Sequence, residues 1–234
     1  TNGPGPDERQ TTGMWWDPQL GVTAPYKKRN LVPFGEWIPF REQLLPLIPM
    51  LQLVGRQGVP GTEPGVINVV LPDGRPLAVG DLICFELAYD NTVNDVITNG
   101  AQVVLVQSNN ATYGGTGQIE QQFAITRARA METRREISVA TTNSVSGHID
   151  RRGRVTERTQ EFTAASSVVT MPVREGRTPA VIVGRWVDRA ASLAGLGAVL
   201  LAIANSWSGR SRRRGAWTVG PMREPTSSAP VGKE

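Results

Sequence analysis

Two residue types that build cross-links and metal centres are almost missing from the sequence. The 234 residues include one Cys and one His. A single Cys excludes an intramolecular disulfide and any multi-Cys zinc site, and a single His excludes the common multi-His metal centres. We therefore expect neither a metal ion nor another cofactor.

Lysine is also scarce, because 22 of the 25 basic residues are Arg and three are Lys. Two of the three are adjacent, at Lys27 and Lys28. Arg stays protonated in proteins, whereas Lys can take part in proton chemistry, so the pair is a candidate site as well as a candidate solvated surface. The net charge is +4, and the basic residues are scattered except for RSRRR at 210–214. Because no basic stripe is interleaved with aromatic residues, we do not expect nucleic acid as a partner.

Strand and helix patterns alternate through the middle of the chain. Residues 65–86 have the pattern of two strands joined by a Pro-Asp-Gly turn. Residues 90–100 and 118–136 have helical patterns, and 101–108 is a nearly continuous apolar run of the kind found in a strand covered on both faces. This alternation predicts an α/β layered core.

A second unit is predicted at residues 186–207. Its stretch 190–207 holds 18 residues without a charge, enough to cross a bilayer core of about 30 Å. Trp186 and Trp207 bracket the run at positions typical of membrane interfaces, and the basic run that follows indicates a cytoplasmic side. A buried helix of a soluble domain is the alternative, because Gly, Ser and Asn dilute the hydrophobicity. Residues 208–234 are predicted to be a basic, disordered cytoplasmic tail.

Cys84 is the residue best suited to chemistry. It lies in LICFELAY (82–89), at the end of a predicted strand where catalytic groups of α/β folds gather, although an inert buried thiol is the common alternative. On an extended strand, Glu86 points to the same side as Cys84. A nucleophilic thiol needs a group that takes its proton. His148 lies beside a charged turn and is expected to be exposed or structural, so we expect the base to be a carboxylate or a Lys.

Three segments resemble the carbon–nitrogen hydrolase (nitrilase) superfamily, and within it the apolipoprotein N-acyltransferases. They are residues 26–40, 81–90 and 107–135. The stretch LVPFGE at 31–36 is the most specific part of the resemblance, which extends over roughly residues 10–180. The resemblance implies a nitrilase-like αββα sandwich, incomplete at its N-terminal side and followed by one C-terminal transmembrane helix.

The resemblance also implies how the chain is organised. Residues 1–180 would be the C-terminal part of a nitrilase-like catalytic domain, and 186–207 the transmembrane helix. The chain begins at Thr1 rather than Met, and we expect it to be the later part of a longer polypeptide. The first 25 residues, rich in Gly, Pro and polar residues, are expected to be irregular apart from a short strand at 13–17.

Catalytic roles follow from the resemblance residue by residue. The Lys of its Tyr-x-Lys motif falls on Lys28, the nucleophile of its Ile-Cys-Tyr/Phe-Glu motif on Cys84, and its supporting Glu on Glu36. Glu86, in the same motif as Cys84, is a second supporting residue. The third member of the family triad, a Glu, lies upstream in relatives, and nothing in residues 1–25 resembles its motif.

The resemblance places substrate-binding residues beside the nucleophile and after the next strand. They are Phe85, Asn109, Asn110 and Tyr113. Thr112 stands where relatives often carry Trp, so the shape of the lipid pocket is expected to differ at that position.

The function that this resemblance implies is acyl transfer at a membrane. A fatty acyl group would move from a phospholipid, through a Cys thioester, to the N-terminal amine of a diacylglyceryl-Cys apolipoprotein. The complete protein would be a multi-pass protein of the bacterial inner membrane, with its catalytic domain outside the cytoplasm. The alternatives are a soluble amidase of the same superfamily and an inactive fragment that lacks the triad Glu.

Overall fold

The computed structural model describes residues 1–214, without the side chains of Thr112 and of 207–214. These residues form two compact units, Thr1–Arg185 and the segment from Trp186 onward.

In the described part of the chain, the strands are β1 Glu8–Arg9, β2 Thr12–Asp17, β3 Gly21–Lys27, β4 Gln57–Gly58, β5 Val66–Val70, β6 Pro76–Ile83, β7 Val103–Asn109, β8 Ile137–Thr142, β9 Gly147–Ile149 and β10 Val155–Arg158. The helices are α1 Arg41–Leu44, α2 Asp90–Thr98, α3 Gly117–Thr133 and α4 Pro179–Arg214, with 3₁₀ turns at Pro49–Val54, Cys84–Ala88 and Ala111–Tyr113.

A six-stranded sheet forms the centre of the first unit, in the order β10-β9-β8-β7-β6-β5. The three middle strands β6, β7 and β8 are parallel, and the outer strands pair antiparallel with their neighbours. Parallel neighbours need crossover connections, and α2 and α3 supply them. The predicted α/β core is confirmed.

Helices α2 and α3 cover one face of this sheet. The close approach of α2 depends on Gly80, where an added Cβ would lie 2.4 Å from a methyl carbon of Val96 and 3.1 Å from the Cβ of Ala101. Burial of the apolar side chains between these layers supplies the main favourable free energy of folding. The contributing side chains include Leu82, Val93, Val96, Ile97, Val104, Val106, Ile119, Phe123, Ala130 and Ile137.

The other face of the sheet borders a cavity of about 730 Å³ that Trp15, residues 165–167 and Val169 also line. Asp81 and Gln107 lie there, and the Gln107 amide donates to both carboxylate oxygens, at 2.9 and 2.8 Å. Burial raises the pKa of Asp81 to about 6, although the hydrogen bonds from Gln107 lower it. This face therefore carries a buried carboxylate that is hydrogen-bonded to a side-chain amide.

The N-terminal segment differs from the expectation of irregular structure. Strands β2 and β3 form an antiparallel hairpin, with Thr12 opposite Lys27. Its turn is held by the Asp17 carboxylate, which accepts hydrogen bonds from the backbone N–H groups of Gln19 and Leu20. Side chains alternate along β2, and Trp16 is exposed. The expected strand at 13–17 is one arm of this hairpin. The hairpin as a whole was not predicted, because Gly and Pro residues weaken the strand pattern.

Helix α4 is longer at both ends than the predicted segment 186–207. It runs over Pro179–Arg214, so the basic run at 210–214 belongs to the helix. The prediction that the disordered tail begins at residue 208 is therefore wrong for its first seven residues. The rest of the predicted tail, 215–234, lies outside the described residues.

The part of α4 at Pro179–Ser206 is long and apolar enough to cross a membrane, by length and composition, and its most apolar window of 18 residues has a mean hydropathy of 1.6. In the described part of the chain, no residue of the most apolar 18-residue window is buried. A core helix would instead be mostly buried. The guanidinium of Arg189 lies 5.2 Å from the ring centroid of Trp186. Large apolar side chains exposed along this helix include Leu193, Leu196, Val199, Leu200, Leu201 and Ile203.

Candidate active site

The chain turns sharply at Cys84. Strand β6 ends at Ile83, and Cys84 begins a 3₁₀ turn with φ of 59°, in the left-handed region. For a non-Gly residue this conformation costs about 1–2 kcal/mol. Such strain persists only where the surroundings hold it, and it is common at functional sites. The turn leaves Cys84 half-buried, at the carboxyl end of β6.

Glu86 holds this turn from the inside. It is fully buried, and one carboxylate oxygen accepts from the backbone N–H of Ile83 at 2.8 Å. The other oxygen accepts from the Tyr26 hydroxyl at 2.9 Å and from the N–H groups of Arg29 and Asn30. Burial of the Tyr26 hydroxyl, together with the Glu86 charge, raises the pKa of Tyr26 far above its ordinary value.

The reasoning that placed Glu86 on the same side as Cys84 is therefore wrong. It assumed an extended strand, whereas the chain forms a 3₁₀ turn from Cys84 onward. The carboxylate points into the interior and fastens the Cys84 turn to the segment that follows β3. Its supporting role in the site stays a prediction, and these hydrogen bonds are the contacts through which it would act.

The end of β3 brings Lys28 into the same region. Tyr26 and Lys28 are buried, and Lys27 between them is exposed, as expected for alternation along a strand. Lys28 is 1% exposed, and its ammonium donates to the Glu36 carboxylate at 2.7 Å. Glu36 also accepts from the Val32 N–H at 2.8 Å. The buried ammonium and its carboxylate partner thus form a fixed pair.

Two pockets meet at Cys84 and share Val32, Cys84 and Tyr113 as walls. The first, here called the polar pocket, has a volume of about 460 Å³. Its further lining includes Arg9, Thr11, Lys28, Glu36 and Asn109. The second, here called the helix-side pocket, has a volume of about 300 Å³. Its further lining comprises Phe85, Asn110, Gln118, Gln121, Gln122 and Ile125. The thiol is accessible from a charged pocket and from a more apolar one.

The four residues predicted to bind substrate all line these pockets. Asn109 lies in the polar pocket, Phe85 and Asn110 in the helix-side pocket, and Tyr113 in both. The Phe85 side chain is 40% exposed and packs edge-to-face against Tyr89. Their roles in binding stay predictions.

The Asn110 amide is already engaged by the protein. Asn110 is buried, and its oxygen accepts from the Ser108 hydroxyl at 2.6 Å. Its NH₂ group donates to the Gln122 side-chain oxygen at 2.8 Å. Gln122 in turn donates to the Ser108 hydroxyl, which closes a small polar network under the helix-side pocket. Asn110 therefore orders the wall of this pocket.

The sequence analysis did not single out Arg9, Thr11 or Val32, although all three line the polar pocket. Arg9 is brought there by the pairing of β1 with β4, which joins residues 49 positions apart. Thr11 donates to the second oxygen of Glu36, at 3.3 Å. No local pattern marks such contacts, because they depend on pairing between distant segments.

His148 lies away from the two pockets and lines the cavity on the second sheet face. It is 5% exposed, its Nδ1 lies 2.9 Å from the Ser138 hydroxyl, and its Nε2 lies 3.4 Å from the Glu136 carboxylate. The expectation of a structural His is confirmed, and the alternative of an exposed one is wrong.

The chemistry available at the site is a thiol, an ammonium and a carboxylate that pairs with it. Among the described residues that line the two pockets, Glu36 is the only carboxylate, and its oxygens already accept from Lys28, Val32 and Thr11. Over the same part of the chain, no group of three or more His, Cys, Asp or Glu side chains is placed to hold a metal ion.

The chain belongs to the carbon–nitrogen hydrolase family, whose sequence profile matches residues 10–178. This match and the mixed α/β layers confirm the nitrilase-like fold expected from the sequence.

Similar curated proteins include three named apolipoprotein N-acyltransferase. The protein from Mycolicibacterium smegmatis is 33% identical over 213 residues, covering 89% of this chain and 34% of the relative. The Vibrio cholerae protein is 31% identical, and the match covers 74% of this chain and 34% of the relative. The Azotobacter vinelandii protein is 31% identical, and the match covers 86% of this chain and 36% of the relative. The chain thus spans about a third of the length of these curated relatives. Among solved structures, an amidase mutant from Nesterenkonia sp. AN1, with an acetamide moiety covalently added at its active-site cysteine, is 21% identical with a TM-score of 0.48. The match covers 68% of this chain and 54% of the amidase chain.

Proposed function

We propose that this chain is the C-terminal part of an N-acyltransferase that carries a fatty acyl group on Cys84. The observation that supports this most directly is the position of the thiol at the junction of two pockets, beside the buried Lys28–Glu36 pair. The acyl donor is a membrane phospholipid, and the acceptor is the N-terminal amine of a diacylglyceryl-Cys apolipoprotein. The names of the relatives support this choice over other reactions of the family.

The first half-reaction forms a thioester. The Cys84 thiolate attacks the ester carbonyl carbon of the phospholipid, the carbon–oxygen bond breaks, and the lysophospholipid oxygen takes up the proton. In the second half-reaction the acceptor amine attacks the thioester, the carbon–sulfur bond breaks, and the sulfur leaves as the thiolate. Each step passes through an oxyanion, which the Lys28 ammonium and the backbone N–H after Cys84 stabilise.

The proton transfers need a carboxylate that is not already engaged. Glu36 accepts from the Lys28 ammonium, so its role is to fix Lys28 in place. The family resemblance implies that the base is instead a Glu that lies upstream of these residues in relatives. It takes the thiol proton and later deprotonates the amine. The chain is inactive without that residue.

The location of the enzyme follows from helix α4 and its charges. The apolar part, Pro179–Ser206, spans the inner membrane of a bacterium, and the RSRRR run lies in the cytoplasm. Residues 1–180 then form the catalytic region on the outer side, where both lipid substrates are present. The complete protein crosses the membrane several times.

Trapping of the acyl-enzyme tests the function. The complete protein in detergent is incubated with a phospholipid that carries a labelled acyl chain, and its intact mass is measured. The wild type should gain one acyl group and pass it to an added diacylglyceryl-Cys peptide. Cys84→Ser should gain none while its abundance stays unchanged, because the change in volume is small. Failure of the wild type to form a thioester would refute the proposal, and loss of the label to water with the peptide present would favour the amidase.

A further inference from the structure

Arg9 brings a second positive charge into the polar pocket beside Cys84. The residue is half-buried, and its side-chain Nε donates to the backbone carbonyl of Arg56 at 3.1 Å. The pairing of β1 with β4 sets Arg9 opposite Gly58, and the Gly58 N–H donates to the Glu36 carbonyl at 2.8 Å. The backbone around Arg9 is thus tied to the loop that carries Glu36.

The charges of the described residues that line the polar pocket do not balance. Lys28 and Glu36 neutralise each other through their 2.7 Å contact. Within residues 1–214, Arg9 takes part in no ion pair. The other described polar groups of the lining are Thr11, Cys84, Asn109 and Tyr113. They carry no charge while the thiol holds its proton, so at the stage when the donor binds Arg9 gives these residues a net charge of plus one. A pocket of this kind favours an anionic group close to the thiol.

We propose that Arg9 binds the phosphodiester group of the phospholipid donor and so selects a phosphate-bearing lipid as the acyl source. This proposal rests on the proposed function. An arginine fork matches phosphate geometry and can donate two parallel hydrogen bonds, which a neutral side chain cannot replace. With the ester carbonyl at Cys84, the acyl chain enters the helix-side pocket along Phe85 and Ile125, and the glycerophosphate extends into the polar pocket.

Arg9→Gln in the complete protein tests this assignment with two acyl donors. One is phosphatidylethanolamine, and the other is the p-nitrophenyl ester of the same fatty acid, which has no phosphate. The rate of acyl-enzyme formation is measured for each. For the phospholipid, kcat/KM should fall about 10- to 100-fold, the range expected for losing a hydrogen bond between charged groups. For the p-nitrophenyl ester it should not change.

Two further variants separate phosphate binding from a structural role. Arg9→Lys keeps the charge but not the fork, so its rate with the phospholipid should lie between those of the wild type and Arg9→Gln. Arg152→Gln removes an exposed arginine that lines neither pocket, and both donors should react normally.

The outcomes distinguish this proposal from the proposed function. An equal loss with both donors, or no loss with the phospholipid, would overturn the role of Arg9 while leaving acyl transfer intact. A wild type that is acylated by neither donor would instead contradict the proposed function itself.

Discussion

Glu86→Gln is the substitution that tests the structural basis of the site most directly. The Glu86 carboxylate is fully buried and accepts four hydrogen bonds, from the Tyr26 hydroxyl and from the N–H groups of Arg29, Asn30 and Ile83. Glutamine has nearly the same shape. The substitution therefore removes the negative charge and one acceptor, and it leaves the packing volume unchanged.

The expected loss of stability can be worked out from these contacts. If the Gln oxygen keeps the three partners of one carboxylate oxygen, its NH₂ group faces the N–H of Ile83, and two donors meet. An unsatisfied buried donor costs about 1–3 kcal/mol. The three remaining bonds lose the extra strength of a charged acceptor, and the release of a buried charge offsets part of this loss. We expect a net decrease of about 2–4 kcal/mol in the free energy of unfolding.

Urea-dependent proteolysis of the complete protein in detergent measures this change. The Cys84 thiol of the variant should also react faster with a thiol reagent, because the turn that holds it has lost its anchor. Glu42→Gln, at an exposed position of α1, is the matched control and should behave as the wild type. A Glu86→Gln variant within about 0.5 kcal/mol of the wild type, which is the usual range for surface substitutions, would show that these hydrogen bonds do not hold the turn.

Three further predictions follow from the site, the sheet and the helix. Lys28→Arg should lose about a hundredfold or more in turnover, because a guanidinium does not place a compact charge at the oxyanion. Lys27→Arg should leave turnover unchanged. The reverse result would mean that the catalytic Lys is misassigned. The raised pKa of Asp81, about 6, means that the folded state holds its proton more tightly, so stability should fall as pH rises from about 4 to 6. Asp81→Asn should remove this pH dependence and raise the free energy of unfolding at pH 7 by on the order of 2–3 kcal/mol. Unfolding at several pH values measures both effects. A variant with the pH dependence of the wild type would contradict the prediction. A reporter fused after Glu234 should be cytoplasmic and one placed before Ala180 external, and the opposite arrangement would exclude the proposed topology.

The sequence carries most of the information about the sheet and its helices. The apolar run at 101–108 is β7 in the structure, and the patterns at 90–100 and 118–136 are α2 and α3. These elements could be predicted because each has a local period that matches its burial. The hairpin at 12–27 could not, because its Gly and Pro residues weaken the strand pattern and its stability comes from pairing between the two arms.

The candidate site shows the same division at the level of single residues. Cys84, Lys28 and Glu36 were predicted to act together from three short motifs, and the structure brings all three to one pocket. The conformation of Cys84 could not be predicted, because a left-handed residue after a strand breaks the period of two that the pattern assumes. The position of Arg9 depends on pairing with residues 57–58, and no local pattern indicates it.

By itself, the sequence indicated candidate residues for the chemistry, the strands and helices of the central sheet, and a candidate membrane span. It does so because residue type and hydrophobic period are local properties of the chain. The tertiary structure decided that Glu86 anchors the turn instead of facing the thiol, and that Arg9 enters the polar pocket. Both outcomes arise because buried polar groups must find partners, and the partners available to them lie far away along the chain: Tyr26 is 60 residues from Glu86, and Arg56 is 47 residues from Arg9.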